Sequence, residues 1–127
     1  MAKLFFPVLF VLMICASSFA LDVVADNDDG APSFVYSGSW TLSSAAGYNG
    51  GTYHWASANS NGTATWTPNL PYYGLYNVYA YFIRGGNRST NVPYKIVHSS
   101  GEANVIINQR GSSDQYYKLA EVLLGSW

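Results

Sequence analysis

The chain has 127 residues, of which only 10% are charged and 17% are aromatic, with 11 tyrosines and 4 tryptophans. Six basic and seven acidic residues give a formal net charge of −1. Proteins that bind the nucleic-acid backbone need a basic patch, and no run of lysine or arginine occurs here, which excludes that class. The length suits one domain with a modest core.

The first twenty residues have the pattern of a secretory signal peptide. Lys3 precedes an apolar run from Leu4 to Ile14, and small residues follow as far as Ala20. The pattern predicts cleavage after Ala20, secretion, and no membrane attachment of the mature protein.

Two other interpretations of this segment stay open. A lipoprotein signal would use Cys15, but bulky Ile14 stands where a small residue is required. An uncleaved anchor would need roughly 20 apolar residues, and the run is shorter. Cleavage leaves residues 21–127 as one domain with five basic residues, seven acidic residues and no cysteine. Disulfides are therefore excluded, and burial and sheet hydrogen bonds must hold the domain together.

Short apolar segments, each ended by a turn, follow along the mature chain. Leu21–Ala25 is predicted as a first strand, before a polar turn at residues 26–30. The next predicted strands are Phe34–Tyr36, Trp40–Leu42, Tyr53–Ala56 and Thr63–Trp66, with a turn at residues 47–51. Turn signals about every 8 to 12 residues between β-branched and aromatic runs are typical of an all-β sandwich.

The clearest strand pattern covers residues 75–82. The segment before it contains Pro68 and Pro71, which have no N–H to donate to a β-ladder, so that segment is predicted to be a connection. The period of two in residues 75–82 sends alternate side chains to opposite faces. One set is Tyr76, Val78, Ala80 and Phe82, and the outward set is Leu75, Asn77, Tyr79 and Tyr81.

Three further strands are predicted after the loop around Gly85, Gly86 and Asn87. They are Tyr94–His98, with Tyr94, Ile96 and His98 on one side, Val105–Ile107, and Tyr116–Leu124. A helix is the alternative for the last segment, because Tyr116, Leu119, Ala120 and Leu123 recur at spacings of three and four. The segment is short and uncapped, which favours the strand.

Several of these motifs together resemble a known family. They are residues 26–30 (DNDDG), 38–40 (GSW), 47–50 (GYNG), 63–71 (TATWTPNLP), Asn87-Arg88 and 90–94 (TNVPY). They resemble the carbohydrate-binding-type domain at the C-terminal end of golvesin and of xanthan lyases. The resemblance implies a jelly-roll-like antiparallel β-sandwich, used as a non-catalytic accessory module on secreted bacterial proteins, with carbohydrate binding as the usual proposal. It supplies no catalytic residue.

The end of the chain departs from that family. There, the strand after the pair Gln115-Tyr116 is followed by a glycine turn and one or two more strands, whereas this chain stops at Trp127. Either the chain is a fragment, or the sandwich lacks its last strand or strands. A missing strand exposes unpaired backbone groups, which predicts self-association through the incomplete sheet edge.

The carboxylates cluster only in the turn that holds Asp26, Asp28 and Asp29. The favoured interpretation is a polar turn whose side chains bond nearby backbone, and the alternative is a structural calcium site. The spacing of a standard calcium loop is absent. His54 and His98 do not lie at metal-ligand spacing, and no nucleophile elbow occurs, so we expect no zinc, no other cofactor and no catalytic set.

The aromatic residues are the best candidates for a binding site. Sugars pack flat C–H faces on aromatic rings and bond their hydroxyls to amides and charged groups. Eleven tyrosines exceed what a core of this size hides, so some must reach solvent. The candidates are Tyr48, Trp55, Tyr72, Tyr73, Tyr79 and Tyr81, together with Asn87 and Arg88, whose planar guanidinium suits a carboxylate.

The alternative interpretation for each tyrosine is a buried ring with only its oxygen exposed, and for Arg88 a brace of its own loop. We therefore expect a secreted, non-enzymatic module that binds polysaccharide. The alternatives are a structural subunit of an extracellular fibre or matrix, and the N-terminal part of a longer polysaccharide lyase or hydrolase.

Overall fold

The computed structural model describes residues 21–113 and 115–125, where eight strands and one 3₁₀ turn form. The strands are β1 (Phe34–Ser37), β2 (Thr41–Leu42), β3 (His54–Trp55), β4 (Thr63–Trp66), β5 (Gly74–Phe82), β6 (Val92–His98), β7 (Gly101–Ile107) and β8 (Gln115–Leu124). The 3₁₀ turn is Tyr48–Gly50. The predicted signal peptide, with Cys15, lies outside the described residues. Within the described part, no helix is long or apolar enough to cross a membrane.

The strands pair in four antiparallel couples: β1 with β4, β2 with β3, β5 with β8, and β6 with β7. This confirms the prediction of an all-β, antiparallel, sandwich-like fold. The predicted strand at Leu21–Ala25 is wrong, because no strand forms there. Without a ladder partner, an extended segment of this kind has no backbone hydrogen bonds to define it as a strand.

The β5–β8 pair is the longest ladder, and it has a β-bulge. Tyr79 lies opposite Lys118 and Val78 lies opposite Ala120, so Leu119 is the extra residue. A bulge shifts the alternation of the bulged strand by one residue. Leu119 and Ala120 are consequently both half-buried, although they are neighbours in sequence. The helix-like spacing in this segment therefore comes from a bulged strand.

The inward faces of the strands meet around an incompletely filled interior. Among the described residues, Phe34, Ile96 and Ile107 are the only buried hydrophobic side chains. One open cavity of about 2640 Å³ is lined by Phe34, Val78 and Ile96 and also by Tyr79 and Tyr81, so it extends beyond the inward faces. The predicted alternation is present in β6, where Tyr94 and Ile96 are more buried than their neighbours in sequence. In β5 it holds for Tyr76 and Val78, whereas Ala80, Tyr81 and Phe82 are all half-buried.

Candidate functional site

The outward face of β5 and β8 brings tyrosines from distant parts of the sequence together. Tyr81 lies directly opposite Tyr116, and Tyr79 lies opposite Lys118 in the next outward row. The ring centroids of Tyr81 and Tyr116 are 5.3 Å apart, and those of Tyr79 and Tyr116 are 6.5 Å apart. Both pairs meet edge to face, the arrangement that aromatic quadrupoles favour. Tyr79 and Tyr116 remain 52% and 53% exposed.

Tyr48 completes this cluster from the 3₁₀ turn. Its ring centroid lies 5.2 Å from that of Tyr81 and 5.9 Å from that of Tyr116, again edge to face. The turn is closed by a hydrogen bond from the Gly51 amide to the Tyr48 carbonyl, at 2.8 Å. Asn49 and Gly50 take positive φ values of 47° and 79°, which glycine and asparagine tolerate. The local sequence thus presents the Tyr48 ring to the sheet.

We call Tyr48, Tyr79, Tyr81, Tyr116 and Lys118 the tyrosine face. A hydrogen bond between the Tyr116 and Tyr48 hydroxyls raises the pKa of Tyr116 to about 12. Burial and the nearby Tyr48, Tyr81 and Asp22 act in the same direction. Tyr116 therefore stays neutral, and able to donate a hydrogen bond, well above neutral pH.

Polar and apolar rows continue this face along the same strands. Asn77 lies opposite Glu121, and Leu75 lies opposite Leu123. Lys118 forms an exposed ion pair with Glu121 at 3.5 Å. Four cross-strand rows at two-residue spacing extend for about 20 Å, from the strand rise of about 3.3 Å per residue. This length can accommodate several linked sugar rings with amide, carboxylate and ammonium groups beside them.

The carboxylates of residues 26–30, which we call the acidic turn, accept hydrogen bonds from nearby groups of the same chain. Asp26 accepts a hydrogen bond from the Asp28 amide at 2.9 Å, and Asp29 accepts one from the Asp26 amide at 2.8 Å. Asp28 accepts hydrogen bonds from the Thr52 hydroxyl and, at 2.7 Å, from the Thr52 amide. The Thr52 hydroxyl and then the amide hold the pKa of Asp28 below its usual value.

These contacts tie the acidic turn to the segment that carries Tyr48. Among the described residues, no group of three or more histidine, cysteine or acidic side chains is placed to hold a metal ion. The calcium site at Asp26, Asp28 and Asp29 stays a prediction. The turn's visible role is to position Thr52 and, through it, the loop before β3.

Arg88 is engaged by its own surroundings. Its guanidinium donates to the Ile83 carbonyl at 3.2 Å, to the Asn87 side chain at 3.1 Å and to the Tyr53 hydroxyl at 3.4 Å. It also lies over the Tyr53 ring, 6.0 Å from the centroid. Three of its five N–H groups are used in this way, so Arg88 braces its loop against the segment that follows Tyr48.

A family model described as the golvesin C-terminal domain matches residues 23–125. The chain belongs to this family. Its matched region includes all eight strands, the acidic turn and the tyrosine face.

One relative of this golvesin C-terminal domain is a protein named xanthan lyase from Bacillus sp. (strain GL1). The two are 32% identical over 109 residues, a stretch that is 82% of this chain and 12% of the relative. The chain thus spans about an eighth of that protein's length, and the similarity concerns one domain. No solved structure gives a significant match.

The predicted site residues of this golvesin C-terminal domain fall into separate places. Tyr48, Tyr79 and Tyr81 come together in the tyrosine face. Tyr72 and Tyr73 lie just before Gly74, at the opposite end of β5 from Tyr81; Tyr72 is 72% exposed, and its carbonyl accepts the Tyr76 hydroxyl at 2.9 Å. Trp55 lies on β3, in a different pair of strands.

The two histidines lie apart from the tyrosine face. His54 packs against the rings of Phe34 and Tyr36, with centroids 5.7 and 5.0 Å away. The Nδ1 atom of His98 accepts the Ser100 amide at 3.3 Å. His98 is thus hydrogen-bonded and half-buried.

Two residues that the sequence analysis did not select prove important to the site. Tyr116 belongs to the tyrosine face because β8 pairs with β5, and sequence alternation alone cannot reveal that pairing. Arg110 donates from Nε to the Arg88 carbonyl at 2.8 Å and so joins the loop of Asn87 and Arg88. Its position after the apolar run of β7 marked it only as a loop residue.

Proposed function

We propose that this golvesin C-terminal domain is a secreted, non-catalytic module that binds extracellular polysaccharide on the tyrosine face. The observation that carries the proposal is the gathering of four tyrosines from three segments into one face that remains open to solvent. Exposed aromatic rings take the flat C–H face of a sugar, and the hydroxyls of those rings bond to the sugar's own hydroxyls. The relative named xanthan lyase supports a polysaccharide as the ligand class.

Tyr79 is the most suitable ring for stacking. It is half exposed, and its one ring contact within the described residues is with Tyr116. Tyr48 and Tyr81 are more enclosed, because each packs against two other rings. Lys118, Asn77 and Glu121, which lie in the same face, provide partners for hydroxyl groups beside the ring. We therefore assign stacking to Tyr79 and support of the surface to Tyr48 and Tyr81.

The test is retention of the secreted protein on xanthan and on other immobilised polysaccharides. Tyr79→Ala is expected to lose retention by about tenfold or more, in line with a stacking contact of 1–3 kcal/mol as measured for ring stacking on bases. Tyr72→Ala is the control, because it removes another exposed tyrosine, just before the start of β5 and away from the tyrosine face. Equal retention of the two variants, or no retention of the unchanged protein on any glycan, would contradict the proposal.

Secretion and the absence of catalysis are parts of the same proposal. The N-terminal sequence of the protein recovered from the medium should begin at Leu21, and a start at Cys15 would indicate lipidation instead. Any lyase or hydrolase activity would belong to sequence beyond residue 127. Incubation of the protein with polysaccharide should release no new reducing ends or unsaturated products.

A structural subunit of an extracellular fibre or matrix is a second candidate, favoured by the open interior. Only three hydrophobic side chains in the described residues are buried, and each described strand pairs with one other strand. Two-stranded sheets are marginal alone, and an unpaired edge is a template for another chain. Light scattering after size exclusion, followed by electron microscopy, tests this candidate. A concentration-independent monomer would exclude it.

A further inference from the structure

Two loops at one end of the β5–β8 pair carry three arginines. Residues 83–91 follow β5, and residues 108–113 follow β7. Arg84 donates to the Arg110 carbonyl, Arg110 donates to the Arg88 carbonyl, and the Gln109 amide donates to the Ser89 carbonyl at 2.9 Å. These bonds hold the two loops together and concentrate positive charge in one place.

Most described carboxylates have partners outside these loops, and Asp22 lies near Tyr116. Glu102 pairs with Lys95 at 3.3 Å and Glu121 pairs with Lys118 at 3.5 Å, while the acidic turn bonds to its own backbone and to Thr52. Within residues 21–113 and 115–125, Arg88 and Arg110 form no ion pair. The mature domain is acidic overall, whereas these two loops bring arginines together.

Arg110 is the arginine placed to bind a ligand. Arg88 uses its guanidinium on Ile83, Asn87 and Tyr53. Arg110 is exposed and uses only Nε, so its two terminal amino groups bond to nothing within the described residues. An arginine held at Nε presents the other two nitrogens as a fork that matches both oxygens of a carboxylate.

The fork lies at the tyrosine end of the proposed binding surface. The last pair of the β5–β8 ladder is Phe82 with Gln115, and the loops leave directly from it; Tyr81 and Tyr116 form the pair before it. The bond from Arg88 to Tyr53 also ties the arginine loops to the segment that carries Tyr48. A polymer that lies on the tyrosine face and extends past Tyr81 therefore runs toward the loops that carry Arg88 and Arg110.

We propose that Arg110, held in place by Arg88, binds the carboxylate of an acidic sugar in a polysaccharide that lies on the tyrosine face. This inference rests on the proposed polysaccharide binding and narrows it to acidic glycans. Arg88 holds Arg110 through its backbone carbonyl, while its guanidinium bonds within its own loop and to Tyr53. The contact is reversible and involves no covalent step.

The test compares polygalacturonate with the same polymer after reduction of its carboxyl groups to alcohols. The secreted protein should bind the acidic form about tenfold more tightly or better, because a charge-assisted bidentate contact is worth more than 1.4 kcal/mol. Arg110→Gln should bring the two affinities together. Arg110→Lys should keep part of the preference, because it retains the charge but not the fork.

Lys95→Gln is the matched control. It removes the same unit charge from an exposed residue in the middle of β6, outside both loops, and it should leave the preference unchanged. If Lys95→Gln lowers the preference as much as Arg110→Gln does, net charge and not Arg110 is responsible, and the inference is overturned. Thermal unfolding of each variant verifies that the fold is intact.

Other outcomes separate this inference from the proposal on which it depends. Equal binding of both polymers by the unchanged protein, with loss of both in Tyr79→Ala, would overturn the acidic preference and leave polysaccharide binding standing. If the unchanged protein binds neither polymer nor any other glycan, both the acidic preference and the proposed polysaccharide binding are contradicted. Tighter binding of dextran sulfate than of polygalacturonate would overturn the assignment to a carboxylate.

Discussion

Tyr81 of β5 lies directly opposite Tyr116 of β8, with ring centroids 5.3 Å apart and planes at 60°. Thirty-five positions of sequence separate the two residues, so the ladder alone makes them neighbours. Tyr48 lies against both rings. The geometry of the proposed binding surface therefore depends on strand pairing and on one short turn, and each of these can be tested separately.

Tyr48→Phe should lower the pKa of Tyr116 from about 12 toward the ordinary value of 10.0, because it removes the hydrogen bond that stabilises the protonated hydroxyl. NMR titration of ring-labelled tyrosines measures this directly. Burial raises the pKa of Tyr94, which bonds to Gln109 and has no contact with Tyr48, so its titration should be unchanged in the variant. A Tyr116 titration equal in both proteins would contradict the hydroxyl contact.

The same hydrogen bond makes the stability of the domain depend on pH at the alkaline end. The folded pKa of Tyr116 exceeds the unfolded one, so the contribution is fully present below about 10 and is lost as pH rises toward about 12. The difference in unfolding free energy between the unchanged protein and Tyr48→Phe should be constant at lower pH and shrink across that window. Urea unfolding at a series of pH values measures it.

Tyr81→Ala and Tyr116→Ala should not have additive effects on glycan binding. Contacting residues usually show coupling energies of about 0.5 to 3 kcal/mol, because each loses its partner's support when the partner is removed. Affinities of the two single variants and the double variant form the cycle. Tyr79→Ala with Trp55→Ala is the comparison pair, since these residues lie in different strand pairs and should act independently. If the losses of binding free energy in Tyr81→Ala and Tyr116→Ala simply add in the double variant, the two residues do not form one binding surface.

The sequence alone predicts most of the strands and shows that Val78 and Tyr79 of β5 lie on opposite faces. Alternation placed Tyr79 outward and Val78 inward because a half-buried strand has a period of two. It could not show that β5 pairs with β8, since antiparallel pairing across 30 or more residues leaves no local signal. Tyr116 was missed for that reason, and the Leu119 bulge made its strand resemble a helix.

The same limit applies to the arginine loops. Arg88 is a candidate from the sequence because Asn87 is next to it and its planar guanidinium suits a carboxylate, and both are local properties. Arg110 lies 22 positions further along the chain, and the pairing of β6 with β7 brings its Nε to the Arg88 carbonyl. The acidic turn can be predicted from the sequence alone, because Asp and Asn side chains hydrogen-bond to backbone groups only two or three residues away.

Asp28→Asn should destabilise the domain at neutral pH, because Asp28 as a carboxylate accepts bonds from both the hydroxyl and the amide of Thr52. Its pKa is lowered by these bonds, so the stabilisation is present above the ordinary value of 3.8 and is lost as pH falls through the lower folded value. The unfolding free energies of the two proteins should therefore converge in acid. Urea unfolding at neutral and acidic pH measures the difference.

Two controls belong to the Asp28 experiment. Glu102→Gln removes an exposed carboxylate of a surface ion pair and should have little effect on stability at any pH. A calcium chelator should leave the neutral-pH curves unchanged if Thr52, and not a cation, satisfies Asp28. A loss of stability on chelation would instead support the predicted calcium site at Asp26, Asp28 and Asp29.

Gly38→Ala should destabilise the fold at the junction of β1 and β4. Gly38 has a φ of +81°, and a Cβ added there would lie 2.6 Å from the Gly62 Cα. The left-handed conformation alone costs a residue with a Cβ about 1–2 kcal/mol, and the contact with backbone adds to it because backbone cannot move aside. Gly86→Ala is the matched control, since a Cβ at Gly86 meets nothing within 4 Å. Thermal unfolding should show a clearly lower midpoint for Gly38→Ala alone, and equal midpoints would contradict the close approach of the two glycines.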